Sequence, residues 1–514
     1  MSRKKIVLFN PQSFANSVVF LGVIPYSLLY LERSLRGLDV EIIIIDQNIV
    51  KNYKDIIDNI SDDLLFVGVT ALTGYQLLGA MEFSVYIRTI SNCDIVWGGW
   101  HPSLLPEQVL KESFIDYIII GQGELPLRQF TERKLADKSV DDIAGLAYEN
   151  NGEIIINPRE PFKRPDYIGG EIDFSLVNPN SYVYTPLFDA NRCISFMSSH
   201  GCPYKCAFCS MAVIYDRKWY GTNIDCIIKQ LKLLKELAEI DSVSFSDSNF
   251  FVDKDYTIEL CKRLIDENVC IKWNAAAHAS SFLRLFSDED VNLIYRSGCK
   301  ELYIGAESGD QEVLDVIGKH AKVEDNLKFV EILAKHNITP KFSTMICFPM
   351  NPDRDIDLTF DMIRKATQIS PLFRSNINFY TPYPGTDLYE LACKSGFKPP
   401  ETLKEWSRHT PRRFRASWEK EEYRLKAEIF ANFYLPLANP DYANIVPPKY
   451  KIIAWLLMCI FHRKARKRFE NNDFNNPYEA ILFLKALNLF NRIFRTRFSL
   501  GSESLFKYPD EEIV

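Results

Sequence analysis

Histidine is scarce in this chain. There are seven in 514 residues, and His101 is the only one among the first 190. Long apolar runs are missing as well. The longest unbroken run, residues 452–461, is half the roughly 20 residues that a membrane-spanning helix needs. Near the start, residues 6–9 are too short for the apolar core of a targeting signal and suit a buried strand. Cysteine is sparse: 12 of 514 residues, about 2%, against the roughly 8–10% of a disulfide scaffold. A chain of this length buries a large core without staples, so the thiols read as reduced and the compartment as cytoplasmic. Basic excess is absent too. With 61 Lys and Arg against 67 Asp and Glu, the net charge is −6, and no nucleic-acid partner is expected. Apolar residues at 47% exclude a mainly disordered chain. No Gly-x-Gly-x-x-Gly follows the first apolar run, which argues against a dinucleotide site.

What is present is alternation. In residues 1–135, short Ile- and Val-rich runs at 6–9, 40–45, 64–69, 94–97 and 117–120 alternate with helix-length stretches. The pattern predicts an α/β fold with a doubly wound, Rossmann-like parallel sheet, whose ligands bind beyond the carboxyl ends of the strands. Residues 136–185 carry turn signals and read as a connector with some short strands. Residues 186–400 return to strand–helix units, with strands expected at 193–197, 242–245, 271–275, 302–305, 342–346 and 377–380. Six units in a row predict a parallel (β/α)6 barrel, complete or partial, with its chemistry at the C-terminal ends of the strands. Residues 401–514 read as helical, broken at Pro447-Pro448.

Three cysteines stand together. Cys202, Cys206 and Cys209 are spaced Cys-x-x-x-Cys-x-x-Cys directly after an expected strand. Thiolates are soft ligands, and one short loop can aim three of them at an iron–sulfur cluster. Three ligands would leave one iron open for chemistry. A zinc site, with His200 as a fourth ligand, and a chance grouping are the other readings of the spacing.

This run, with Phe208 in the aromatic place before the last cysteine, resembles the radical S-adenosylmethionine superfamily. The resemblance implies that Cys202, Cys206 and Cys209 hold a 4Fe–4S cluster whose open iron chelates S-adenosylmethionine. It further implies that Phe208, Asp247, Glu307 and Ser308 contribute to binding that cofactor. Asp247, in Phe-Ser-Asp-Ser-Asn-Phe after the second barrel strand, would receive the methionine ammonium, or else cap a helix. Glu307 and Ser308 stand in Gly-Ala-Glu-Ser-Gly at the end of the fourth strand. Thr381 to Thr386 resemble the family's Pro-x-Pro-Gly-Thr turn. Two departures stand out: Cys347 takes a common glycine place, and His278 stands where relatives often carry arginine.

The first domain also resembles a family domain. Gly98-Gly99-Trp100-His101 and Gly121-Gln122-Gly123-Glu124 follow successive strands, and glycines there let a large planar ligand approach the backbone. These loops are similar to those of the cobalamin-binding domain that precedes many radical S-adenosylmethionine barrels. By that resemblance Thr70, Thr73, Gly98, Gly99, His101, Gly121, Gly123 and Glu124 surround cobalamin. The Asp-x-His-x-x-Gly motif that supplies a lower cobalt ligand in mutases is absent.

The combination implies methyl transfer from methylcobalamin to an unactivated carbon after hydrogen abstraction by a 5′-deoxyadenosyl radical. The alternatives are a ring-forming or rearranging enzyme that transfers no methyl group, and a non-catalytic regulator. No catalytic side chain can be assigned from the sequence. The partners implied are a small-molecule or lipid-like substrate and a low-potential electron donor such as flavodoxin or ferredoxin. The basic, apolar stretch 449–497 reads as a cap packed on the barrel with a solvated basic face. Peripheral contact with an anionic membrane is the other reading.

Overall fold

The computed structural model describes residues 3–13, 22–164, 170–186, 188–411, 413–439, 451–474 and 476–494. The first sheet has seven strands. They are β1 (Lys4–Asn10), β2 (Val40–Asp46), β3 (Leu64–Thr70), β4 (Asp94–Gly98), β5 (Tyr117–Ile119), β6 (Leu146–Asn150) and β7 (Glu153–Ile156), in the order β2-β1-β3-β4-β5-β6-β7. The first five are parallel. The central residues of β1, β3 and β4 are buried on both faces, which suits their apolar runs, whereas those of the edge strand β2 are half-buried. The strand order reverses between β1 and β3, so the crevice there opens beyond the ends of these two strands, at Asn10 and Thr70. The expected connector contributes β6 and β7, an antiparallel hairpin that extends the sheet at its β5 edge.

The second sheet contains β8 (Cys193–Phe196), β11 (Ser242–Phe245), β12 (Lys272–Ala277), β13 (Cys299–Glu307), β14 (Thr339–Ile346) and β15 (Arg374–Phe379). All six are parallel and ordered along the chain, forming the partial barrel that the strand–helix pattern predicted. A two-stranded antiparallel ribbon of β9 (Ser199–Gly201) and β10 (Trp219–Gly221) brackets the cysteine run. Nothing in the local hydrophobic pattern announces it.

The two sheets are joined at a polar and aromatic seam. The Ile24 amide donates to Ser195 Oγ (3.1 Å), and the Tyr26 hydroxyl donates to the Ser195 carbonyl (3.0 Å). The Tyr182 hydroxyl donates to Asp46 (3.0 Å), and His200 Nε2 lies 3.1 Å from the Tyr30 hydroxyl. The chain beyond the barrel then returns to the first domain. Leu403 and Trp406 enter its core, and the Trp406 indole N–H donates to Gln108 Oε1 (2.7 Å). The following helices pack on the barrel, where Phe360 stacks on Phe430 at 3.9 Å. No helix among the described residues is long and apolar enough to cross a membrane.

Trp406 is fully buried and spans both parts of the molecule. Trp406→Ala is expected to cost about 3–5 kcal/mol of stability. Trp406→Phe, which loses the hydrogen bond but keeps most of the ring, should cost about 1 kcal/mol more than a neutral surface change. Denaturant unfolding of the two variants checks both figures.

Candidate active site

The cysteine run has no regular structure of its own, so its shape comes from its neighbours. The Ala207 N–H donates to the Ile317 carbonyl (2.8 Å), and the Ala207 carbonyl accepts the Leu388 N–H (2.8 Å). The loop is thus held between the end of helix Gln311–Val316 and the first turn of helix Asp387–Lys394. The Thr381 to Thr386 turn serves this arrangement, since Thr386 is the residue that starts the second helix. Upstream, the buried Asp247 carboxylate accepts three hydrogen bonds. These come from the Ser198 N–H (3.1 Å), Ser198 Oγ (3.0 Å) and Ser199 Oγ (2.6 Å). Burial pushes its pKa up to about 6 even though those donors favour the ion. Asp247 caps no helix; it fixes the turn that leads into β9.

Cys202, Cys206 and Cys209 are free, half-buried thiols. Burial raises all three pKa values, that of Cys206 to about 11. Each must therefore release a proton when it becomes a ligand. Among the described residues, no group of three His, Cys, Asp or Glu side chains is gathered closely enough to hold a single metal ion. His200 turns from the thiols to Tyr30 and is not a fourth ligand in this arrangement. Phe208 packs in the apolar cluster around Phe348 and Tyr380.

Beside the thiols is a buried ion pair that the sequence did not reveal. Lys319 Nζ lies 2.7 Å from Glu307 Oε1, and both side chains are almost wholly enclosed. Cys206 and Cys209 are near enough that their thiolates, once formed, would act on the same ammonium. Glu307 adopts φ +56°, a strained conformation for a residue other than glycine. Gly305 leaves room for the pair as it stands: a Cβ there would come within 2.1 Å of the Glu307 carboxylate and 2.7 Å of Lys319 Nζ, and the two side-chain ends would have to shift. Ser308 is committed elsewhere: its hydroxyl donates to Asp355 (2.5 Å), whose pKa burial pushes up to about 7. His278 supports the loop from below. It lies 2.8 Å from the Lys319 carbonyl, and Tyr204 of the cysteine run stacks on its ring at 4.2 Å.

The loops after β3, β4 and β5 meet this region from the first domain. The His101 N–H donates to the Ala71 carbonyl (3.1 Å), and the Ala71 N–H donates to the Gly98 carbonyl (2.9 Å), interlocking two loops. Gly99 sits at φ +94°, where a Cβ would strike Ala71 and Thr70 at about 2.9 Å. His101 and Thr73 hydrogen-bond to each other at 3.0 Å; the imidazole is wholly buried and edges Trp406. The Gly121 N–H donates to Ser103 Oγ (2.9 Å), and Glu124 is buried with a raised pKa at the head of its helix. Trp100 makes an edge contact with Tyr215, just past the cysteine run, and Arg159 clamps Asp216 with both nitrogens. Next to them is a cavity of about 440 Å³ lined by Cys206, Cys209, Asp216 and Arg217.

Comparison with known proteins agrees with this geometry. The Radical SAM superfamily model matches residues 196–363, and the B12 binding domain model matches residues 14–131. The chain is 26% identical to the uncharacterized methyltransferase PH0819 of Pyrococcus horikoshii, over 66% of this chain and 74% of that one. It is 25% identical to the anaerobic magnesium-protoporphyrin IX monomethyl ester cyclase of Rubrivivax gelatinosus, over 63% of this chain and 58% of that one. In fold it is similar to the radical S-adenosylmethionine methyltransferase TsrM of Kitasatospora setae, solved with cobalamin and a [4Fe-4S] cluster. That match has a TM-score of 0.62 at 16% identity, over 77% of this chain and 75% of that one. The chain carries a radical S-adenosylmethionine domain and a B12-binding domain. It is a cobalamin-dependent radical enzyme whose cofactors are a 4Fe–4S cluster, S-adenosylmethionine and cobalamin. The donor set fits the cluster: three soft thiols stand on one clamped loop.

Two predictions follow from buried charge. Lys319→Met strands the Glu307 carboxylate and should cost about 3–5 kcal/mol, most of which Glu307→Gln in the same chain restores. Unfolding free energies of the two single variants and the double variant check the coupling. The second concerns His101 and His200, which burial pushes down to about 3, and His278 and His409, pushed down to about 4. Each is neutral when folded, whereas the unfolded chain takes up a proton near pH 6.5. Their stabilisation is complete above that pH and is lost as pH falls, by about 1.4 kcal/mol per pH unit per histidine. Urea unfolding between pH 7.5 and 5 should show this slope, shallower by one proton in His409→Phe.

Proposed function

We propose that the enzyme is a methyltransferase acting on an unactivated carbon of a small or lipid-like molecule. The observation that carries this reading is that Trp100 of the B12-binding domain touches Tyr215 just past the clamped cysteine loop, beside a cavity that Cys206 and Cys209 line. When bound, the cluster and S-adenosylmethionine supply a 5′-deoxyadenosyl radical, and cobalamin supplies the methyl group. Cys202, Cys206 and Cys209 hold the cluster, and Asp247, by fixing Ser198 and Ser199, sets the direction from which the loop enters the cavity. Glu307 and Lys319 are opposite charges in reach of a zwitterionic amino-acid group, and Phe208 and Ser308 shape the wall behind them. Thr70, Thr73, Gly98, Gly99, His101, Gly121, Gly123 and Glu124 line the corrin side.

Residues 1–135 then serve cobalamin, and 186–400 the cluster and its radical. A low-potential donor such as flavodoxin or ferredoxin supplies electrons, in the cytoplasm. Similarity to PH0819 and TsrM supports methyl transfer. Similarity to the cyclase supports a second reading, radical chemistry without methyl transfer.

The test is anaerobic incubation of the reconstituted protein with S-adenosylmethionine and a low-potential reductant. Methyl transfer predicts 5′-deoxyadenosine together with S-adenosylhomocysteine, the latter up to one equivalent per cobalamin before any substrate is added. Deoxyadenosine without S-adenosylhomocysteine favours the second reading. Absence of both products, or their persistence in Cys206→Ala, overturns the proposal.

A further inference from the structure

Helices Lys451–Glu470 and Tyr478–Phe494 form a hairpin at the end of the described chain. Its inner face is accounted for. Phe461 and Phe483 pack on Phe433, Phe469 packs on Phe430, and Ala465 and Leu484 are buried. The outer face is not. Ile452 is 76% exposed, Trp455 60% and Ile460 67%, with Leu456 between them. These residues recur every three or four positions and share one side of the helix. The second helix repeats the pattern with Tyr478 at 75%, Leu482 at 70% and Leu489 at 58% exposure. A helix that is apolar all round is normally enclosed. A grouped set of large exposed side chains on a soluble fold marks a surface that meets something else.

The charges say what that is. Residues 442–469 include no acidic residue. Nearby acids are already paired: Glu470 with Arg466, and the largely buried Glu479 with Lys464 and Arg468. Arg463, Lys467 and Lys485 are exposed and have no acidic partner among the described residues. A second copy of this chain would bring the same positive charge to the contact and be repelled. An anionic surface would be attracted, and Trp455 and Tyr478 carry the amphipathic rings that settle at a lipid–water boundary.

We propose that the outer face of this hairpin docks on a bilayer rich in anionic lipid. The apolar stripe enters the boundary between headgroups and acyl chains, and Arg463, Lys467 and Lys485 lie over the lipid phosphates. The attachment is peripheral, since neither helix is long and apolar enough to cross. This inference does not depend on the methyl-transfer reading, and its test uses no activity.

The full chain is sedimented with vesicles of phosphatidylcholine, alone or mixed with phosphatidylglycerol, at physiological salt. Binding is expected to the mixed vesicles and to be at least tenfold weaker to phosphatidylcholine alone. Trp455→Glu with Ile460→Glu should reduce binding at least tenfold. Arg463→Gln with Lys467→Gln should reduce it about fivefold per charge. All four positions are exposed, and unchanged circular dichroism and melting verify the fold. No binding to the mixed vesicles, or equal binding to both compositions, overturns the proposal. So does concentration-dependent self-association that Trp455→Glu abolishes while vesicle binding is absent.

Discussion

The Asp247 carboxylate, closed around Ser198 and Ser199, is the interaction on which the rest of the site depends. A buried carboxylate is costly, and three short hydrogen bonds offset much of that cost. What the molecule gains is direction. The chain leaves β8 at a fixed angle, enters the ribbon of β9 and β10, and delivers three thiols to a defined place. The two backbone hydrogen bonds at Ala207 complete the task from the other side, tying the loop to helices that begin after β13 and β15. A loop of Cys, Gly, Pro and polar residues has little core of its own, so its order is borrowed from three separate barrel units.

The same logic explains the buried charges around it. Lys319 and Glu307 would each be expensive alone in this setting; together, over Gly305, they form a neutral unit next to the thiols. Four neutral histidines reinforce the arrangement from behind. His200 reaches Tyr30 across the domain seam, His278 supports Tyr204, and His101 and His409 contact Trp406. The scarcity of histidine therefore has a structural sense, because most of the histidines are packing and hydrogen-bonding elements of the site's frame.

Much of this was legible in the sequence, for physical reasons. The five parallel strands of the first sheet lie where the Ile and Val runs lie, and each of the six barrel strands overlaps the position expected for it. The cysteine spacing is local and survives any packing around it. What escaped depends on long-range contact. The hairpin of β6 and β7 looks like any turn-rich connector until it finds the β5 edge. Trp406 and His409 are ordinary residues of a helical tail until the chain folds back onto the first domain. Lys319, twelve positions after Glu307, has the composition of a surface lysine, and only the turn of helix Gln311–Val316 returns it to the carboxylate. Asp247 was legible as a carboxylate beside the site, while its commitment to two serines was not.

The tail hairpin adds an exposed face that is apolar and cationic. In the reading proposed above, the thiol loop and the B12-binding loops, which meet where Trp100 touches Tyr215, serve one reaction space. Electron paramagnetic resonance of the protein loaded with both the cluster and cob(II)alamin tests it most directly. Reduction of the cluster should broaden the cobalt signal and speed its relaxation through spin–spin coupling, and Cys206→Ala should abolish the effect. A cobalt signal that is indifferent to the state of the cluster would contradict the account.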